Sequence, residues 1–266
     1  MVRVSAVGRT GPLDGGRLRR WVASGEPTLG TFVGAASTVT GEVCAAAGFD
    51  WLLVDLEHGA GGEDQVRDLV PVSAAYGVSV VVRVESAARI RIGRVLDLGA
   101  AGVMLPRLNN AAEVALALAH MRYPPEGDRG VATHNRACRF GLSPEYLERA
   151  GDELLGVVQI ESAAAVAEAE DIVALPGADV LFVGPRDLSH DLGVPGDLTA
   201  PSFVAALEKV RTAGRDHGKA CGILANDGAM AAARLDEGWT FVAIGSDSTL
   251  LAAAAVTNLD RARHKG

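Results

Sequence analysis

Residues 51–62 read WLLVDLEHGAGG: four apolar side chains run into Asp55, Glu57 and His58, and the stretch then ends in glycine. The apolar half has no polar–apolar alternation, which is the pattern of a parallel strand covered on both faces. Its abrupt polar end marks the point where such a strand leaves a packed core. The same pattern recurs along the chain. Runs at 28–34, 51–55, 79–84, 102–106, 155–160, 179–184, 219–224 and 241–245 read as strands, and helical spacing fills about 41–47, 63–76, 88–99, 111–121, 163–174, 202–217, 227–235 and 247–262. Eight strand–helix pairs predict a single α/β domain, a (β/α)8 TIM barrel, with a doubly wound open sheet as the alternative. An extension of about 1–27 precedes the barrel. The Pro/Gly/Arg-rich segment 122–152 breaks the rhythm and reads as a long loop of the kind that often serves as a lid.

The totals fit that reading. A chain of 266 residues that is 48% hydrophobic can bury one full core. A formal charge of −8 disfavours nucleic acid and anionic membrane surfaces, which leaves a small molecule as the expected ligand. Cys44, Cys138 and Cys221 are too far apart to suggest a zinc pair or a disulfide framework. With no signal-type apolar segment and no membrane-span-length run, the expected location is cytoplasmic.

In a barrel, chemistry gathers at the C-terminal strand ends. Asp55, Glu57 and His58 close the second strand, Arg83 ends the third, Gln159 and Glu161 close the fifth, and GPRDL with Asp187 follows the sixth. Each has an ordinary structural explanation: a loop histidine, a carboxylate at a helix start, an N-cap. Arg83 is harder to explain that way, because a charge inside VVVRV needs a partner or a ligand. Convergence of four strand ends on one mouth favours a site. Two carboxylates without cysteine describe a hard divalent ion completed by water and substrate oxygens, Mg²⁺ or Mn²⁺ with Co²⁺ also possible. A Lewis acid, an arginine donor and a histidine base together suit enolisation of a carbonyl compound. The chain has three lysines, Lys209, Lys219 and Lys265, and none falls at a strand end where an imine mechanism would place it. No Walker-type loop or dinucleotide fingerprint is present.

DWLLVDLEHG, VVVRV, LDLGAAGVMLP, RYPPEGDRGV, VVQIES and VLFVGPRDLSHDLGVPG occur in this order. Together, over about residues 28 to 250, they resemble the metal-dependent class II pyruvate aldolases of the HpcH/HpaI aldolase/citrate lyase family. The resemblance implies a barrel of the phosphoenolpyruvate/pyruvate-binding type that reversibly cleaves a 4-hydroxy-2-oxo acid to pyruvate and an aldehyde. It implies Glu161 and Asp187 as metal ligands, Arg83 on the pyruvate keto oxygen, and His58 as a base working through a metal-bound water and tuned by Asp55. Gln159 is implied to face the pyruvate pocket, and the backbone N–H groups of Arg186 and Asp187 to hold its carboxylate. Asp97 matches a carboxylate that enters the site from a neighbouring subunit. A homohexamer is also implied, with paired subunits exchanging the helix at about 247–262. Arg186 departs from the family pattern, where a small residue is usual; the extra cation favours an anionic acceptor or crowds the mouth. A citryl- or malyl-CoA-type thioester lyase, an oxaloacetate-type decarboxylase and a catalytically silent metal-binding assembly protein are the alternatives on the same barrel.

Overall fold

The computed structural model describes residues 15–263. Eight parallel strands close a barrel in simple order: β1 (Thr28–Val33), β2 (Trp51–Asp55), β3 (Ser79–Arg83), β4 (Gly102–Leu105), β5 (Leu155–Ile160), β6 (Val180–Val183), β7 (Ala220–Ala225) and β8 (Phe241–Ser246), with β1 paired to β8. The expected (β/α)8 barrel is therefore the fold, and the open-sheet alternative is excluded.

Strand periodicity sorts each run between two cores. Trp51, Leu53, Val81, Met104, Leu155, Val157, Val180, Phe182, Phe241 and Ala243 fill the barrel interior. Their neighbours Leu52, Val54, Val80, Val82, Val103, Val158, Leu181, Val183 and Val242 pack outward under the helices. Trp51 and Phe241 stack at 4.0 Å and 4° to form the interior floor. Gly30 is required there, because a Cβ at that position would lie 2.1 Å from the Trp51 ring. One layer higher, Phe32 and Phe182 meet at 6.2 Å.

The alternation then continues upward. Asp55, Arg83, Gln159 and Glu161 belong to the interior-facing series of β2, β3 and β5, where a period of two carries the apolar side of each strand into the barrel's top layer.

The helices follow the expected positions with small displacements. The first starts at Thr38, three residues early, because Ser37 caps it by accepting from Thr40 N–H at 3.3 Å. The expected helix at 163–174 divides into Ala163–Ala167 and Ala169–Val173. The extension is not a mere tail. Its described part forms the helix Arg17–Ala23, whose Leu18 and Val22 close the bottom of the barrel interior; residues 1–14 lie outside the described residues.

The segment 122–152 also differs from its reading as a lid. It joins the C-terminal end of the helix Ala111–Ala119 to the start of β5, so both of its ends lie on the face opposite the strand C-termini. It contains a helix of its own, Tyr146–Glu153, held by buried Tyr146 and Ala150.

Among the described residues, no helix is long and apolar enough to cross a membrane.

Candidate active site

The strand C-termini surround a cleft of about 690 Å³. Asp55, His58, Arg83, Gln159, Arg186 and Asp187 line it, as do Phe32 and Phe182 at its base. Six of the sequence-expected residues therefore meet, from β2, β3, β5 and the turn after β6.

Asp55 and Arg83 form a buried ion pair, with 6% and 7% of their surfaces exposed. Arg83 donates through Nε to Asp55 Oδ1 at 2.9 Å and through Nη2 to Oδ2 at 2.7 Å. Its Nη1 lies 3.2 Å from Glu57 Oε2, and its guanidinium sits 5.2 Å from the Phe32 ring centre. Burial alone raises a carboxylate pKa, but the Arg83 fork and two backbone donors hold Asp55 below its ordinary value. Burial disfavours the Arg83 cation too; Asp55 and Glu57 outweigh it, and the pKa is raised. Arg83 stays charged.

The expected tuning of the His58 ring by Asp55 takes a different form. Asp55 Oδ1 accepts from the backbone N–H groups of Glu57 at 3.1 Å and His58 at 3.2 Å. One carboxylate thus fixes the guanidinium and the turn that carries the histidine. The turn is tight: a Cβ on Gly59 would lie 2.2 Å from the Asp55 carbonyl oxygen.

Glu161 is bonded to Gln159, which lines the cleft. Its Oε1 accepts from Arg107 N–H at 2.6 Å and its Oε2 from Gln159 Nε2 at 2.7 Å. Burial, together with the nearby charges of Asp187 and Glu57, pushes its pKa up to about 6 against the pull of the Arg107 N–H. Gly184 makes room for this arrangement, since a Cβ there would stand 3.0 Å from Gln159 Nε2 and 3.4 Å from Glu161 Oε2.

Asp187 sits in the first turn of the helix Pro185–Asp191. Among the described residues no three His, Cys, Asp or Glu side chains form a ready metal cage. A two-carboxylate site fits the donors present: Asp187 is close enough to raise the cost of charging Glu161, and both offer hard oxygen. Gln159 Oε1 is buried at the same place with no hydrogen-bond partner.

Asp97 is not in this cleft. It ends the helix Arg89–Asp97 and pairs with fully buried Arg129, Nη2 to Oδ1 at 2.7 Å.

Several cleft residues escaped the sequence reading. Asn226 follows β7, and Ser246, Ser248 and Thr249 follow or end β8, all on the cleft wall. Their signal was visible as polar residues after two apolar runs, but small hydroxyls and amides at turns look like ordinary caps. Arg107 contributes only a backbone N–H, presented from a left-handed conformation with φ 58°, so its side-chain identity carried no signal.

The sequence pattern of the HpcH/HpaI aldolase/citrate lyase family matches residues 28–254. The chain belongs to that family. The 4-hydroxy-2-oxo-heptane-1,7-dioate aldolase of Salmonella dublin is 40% identical over 233 residues, 87% of this chain and 89% of that protein. The protein of the same name from Escherichia coli is 39% identical over the same shares. Among solved structures, an HpcH/HpaI aldolase/citrate lyase family protein from Burkholderia cenocepacia J2315 is 35% identical with a TM-score of 0.90, covering 93% of this chain and 99% of its own. This HpcH/HpaI member is an enzyme of the lyase class, with aldolase activity.

Proposed function

We propose that the chain is a metal-dependent aldolase that cleaves a 4-hydroxy-2-oxo acid to pyruvate and an aldehyde and runs equally in the addition direction. The observation that supports this most is the meeting of Arg83, His58 and Asp187 in one cleft, with the desolvated Glu161 carboxylate bonded to Gln159 of its lining.

Glu161 and Asp187 would hold the ion, Mg²⁺ or Mn²⁺ by their oxygen chemistry, with Co²⁺ as a possible substitute. When bound, a divalent cation supplies Lewis-acid polarisation of a 2-oxo acid. Arg83 supplies fixed donors: Asp55 accepts two of its N–H groups and Glu57 lies 3.2 Å from Nη1, which leaves N–H groups on both terminal nitrogens for the pyruvate keto oxygen as negative charge develops. Asp55 keeps that guanidinium from turning away.

His58 takes and returns the methyl proton, carried on a turn whose N–H is tied to the same Asp55. Gln159 and the first-turn N–H groups of Arg186 and Asp187 face the carboxylate end of pyruvate, because the first N–H groups of a helix have no intrahelical partner. The acceptor half of the cleft is the wall of Arg186, Asn226, Ser246, Ser248 and Thr249. Arg186 is exposed and has no ion pair among the described residues, so an aldehyde bearing a carboxylate suits it.

Assembly belongs to the same reading. Every residue from Leu251 to Arg263 is exposed on a 17-residue helix, including Leu251 at 65%, Val256 at 58% and Leu259 at 52%. A neighbouring copy that exchanges this helix would bury them, and a homohexamer built on such pairs would bring Asp97 towards another subunit's cleft.

The test is deuterium exchange at the methyl group of pyruvate, followed by NMR with and without added Mg²⁺ or Mn²⁺. Metal-dependent exchange that collapses in His58→Ala supports the proposal. Exchange that ignores the metal, or none at all from folded protein, overturns it.

A further inference from the structure

Asp247 is the first residue of the exposed C-terminal helix Asp247–Arg263, yet it is only 4% exposed itself. Its carboxylate accepts three bonds from another part of the chain and one from its neighbour. Oδ1 accepts from Gly34 N–H at 3.1 Å and Ser248 N–H at 2.8 Å; Oδ2 accepts from Ala35 N–H at 3.3 Å and from the Thr40 hydroxyl at 2.7 Å. The loop after β1 is therefore held by the first residue of the last helix.

That loop in turn holds the turn of His58. Gly34 C=O accepts from Ala60 N–H at 2.8 Å, two residues beyond His58. The two backbones are in contact: a Cβ on Gly34 would meet Gly59 Cα at 3.4 Å, and one on Gly59 would meet Gly34 Cα at 3.2 Å. Two unbranched links thus separate the Asp247 carboxylate from the candidate base.

Resting on the aldolase reading above, we propose that Asp247 is a positioning residue, one that transmits the seating of the C-terminal helix to the His58 turn. A carboxylate suits the task, because it accepts several N–H and O–H bonds at once in fixed geometry. Asn at 247 would turn an amide N–H₂ towards Ala35 N–H or Gly34 N–H and break the pattern on one side. The helix itself has no other buried residue, so Asp247 is its most deeply seated tie to the barrel. Glu161 and Asp187 follow β5 and β6, across the barrel from β8, β1 and β2, and this chain of contacts does not reach them.

The experiment compares Asp247→Asn and the milder Thr40→Val with wild type in the full chain. The His58 imidazole NMR signal, assigned by its loss in His58→Ala, is followed together with Mg²⁺-dependent pyruvate methyl exchange. The expected result is a shifted or broadened His58 signal with the other histidine signals in place. The exchange kcat falls about tenfold in Asp247→Asn at unchanged pyruvate KM, as a small misplacement of a base requires, and less in Thr40→Val. An unmoved His58 signal with unchanged kcat in both variants overturns the proposal, and so does a uniform loss of KM, kcat and all histidine signals, which marks a merely structural role. Should wild type show no exchange, the aldolase reading fails and the His58 signal alone decides whether Asp247 positions that turn.

Discussion

Asp55 and Arg83 are directly opposite one another in the register of β2 and β3, and their side chains meet in a two-bond fork at 2.9 and 2.7 Å. Backbone pairing and side-chain pairing therefore select the same geometry. The fork is a charged pair buried at the rim of the core, where removing one partner costs more than the pair contributes.

Arg83→Ala is expected to destabilise the protein by about 3 kcal/mol, read from denaturant midpoints, because it leaves Asp55 buried without its partner. Arg83→Lys keeps the charge and loses the fork. Turnover of a 4-hydroxy-2-oxo acid should fall about a hundredfold, as when a fixed donor to a developing oxyanion is removed. Full turnover in the lysine variant would remove Arg83 from the role assigned to it.

Asp55 also predicts an acid limb. Its folded pKa lies below the ordinary value of 3.8, so the stability it contributes is complete above that value and is lost as pH falls through the folded pKa. Unfolding free energies measured downward from about pH 5 should drop more steeply in wild type than in Asp55→Asn. Parallel curves would show that the ionised fork contributes nothing to stability.

Glu161 has the opposite sign. With its pKa raised to about 6, the folded protein holds a proton that the unfolded chain releases near 4.5, so stability falls as pH rises between those values. At pH 7, without metal, Glu161→Gln should be more stable than wild type by about 2 kcal/mol. Divalent metal affinity, measured by calorimetry, should climb through pH 6 in wild type and be lost in the variant. A variant that keeps full affinity would mean the ligand lies elsewhere.

Gly184→Ala tests the wall directly. The added methyl carbon would stand 3.0 Å from Gln159 Nε2, so Gln159 and Glu161 must shift together. Metal affinity is expected to fall about tenfold while the thermal midpoint stays near wild type, since a site tolerates such displacement less well than a fold does.

Arg186→Gln separates the two halves of the cleft. Addition of pyruvate to glyoxylate should lose about tenfold in kcat/KM, the size of one charge-assisted hydrogen bond, while addition to propanal and pyruvate methyl exchange hold steady. Equal losses with both aldehydes would place Arg186 in the pyruvate half instead.

Much of this protein is local in origin, and its sequence shows as much. The strands are short apolar runs, and β2, β3 and β5 end where the run turns polar; the period of two then dictates that Asp55, Arg83, Gln159 and Glu161 face the same way as Trp51, Val81, Leu155 and Val157. A reader of the chain alone can place those four side chains at one mouth. What the sequence could not show is which donors each of them meets. Asp55 contacts Arg83 and the His58 backbone because β2 and β3 pair in one particular register. Glu161 bonds Arg107 through a backbone N–H and not through its side chain. Asp247 reaches Gly34 and Thr40 only because the barrel closes β8 onto β1. The segment 122–152 read as a lid because it is long and rich in Pro and Gly, yet chain order puts its ends at the opposite face, where buried Tyr146 and Ala150 make part of it a helix. Hydrophobic period and strand ends are properties of neighbours in the chain, so the sequence alone determined them. Hydrogen-bond partners across the barrel arise from closure and register, and only the tertiary structure decided them.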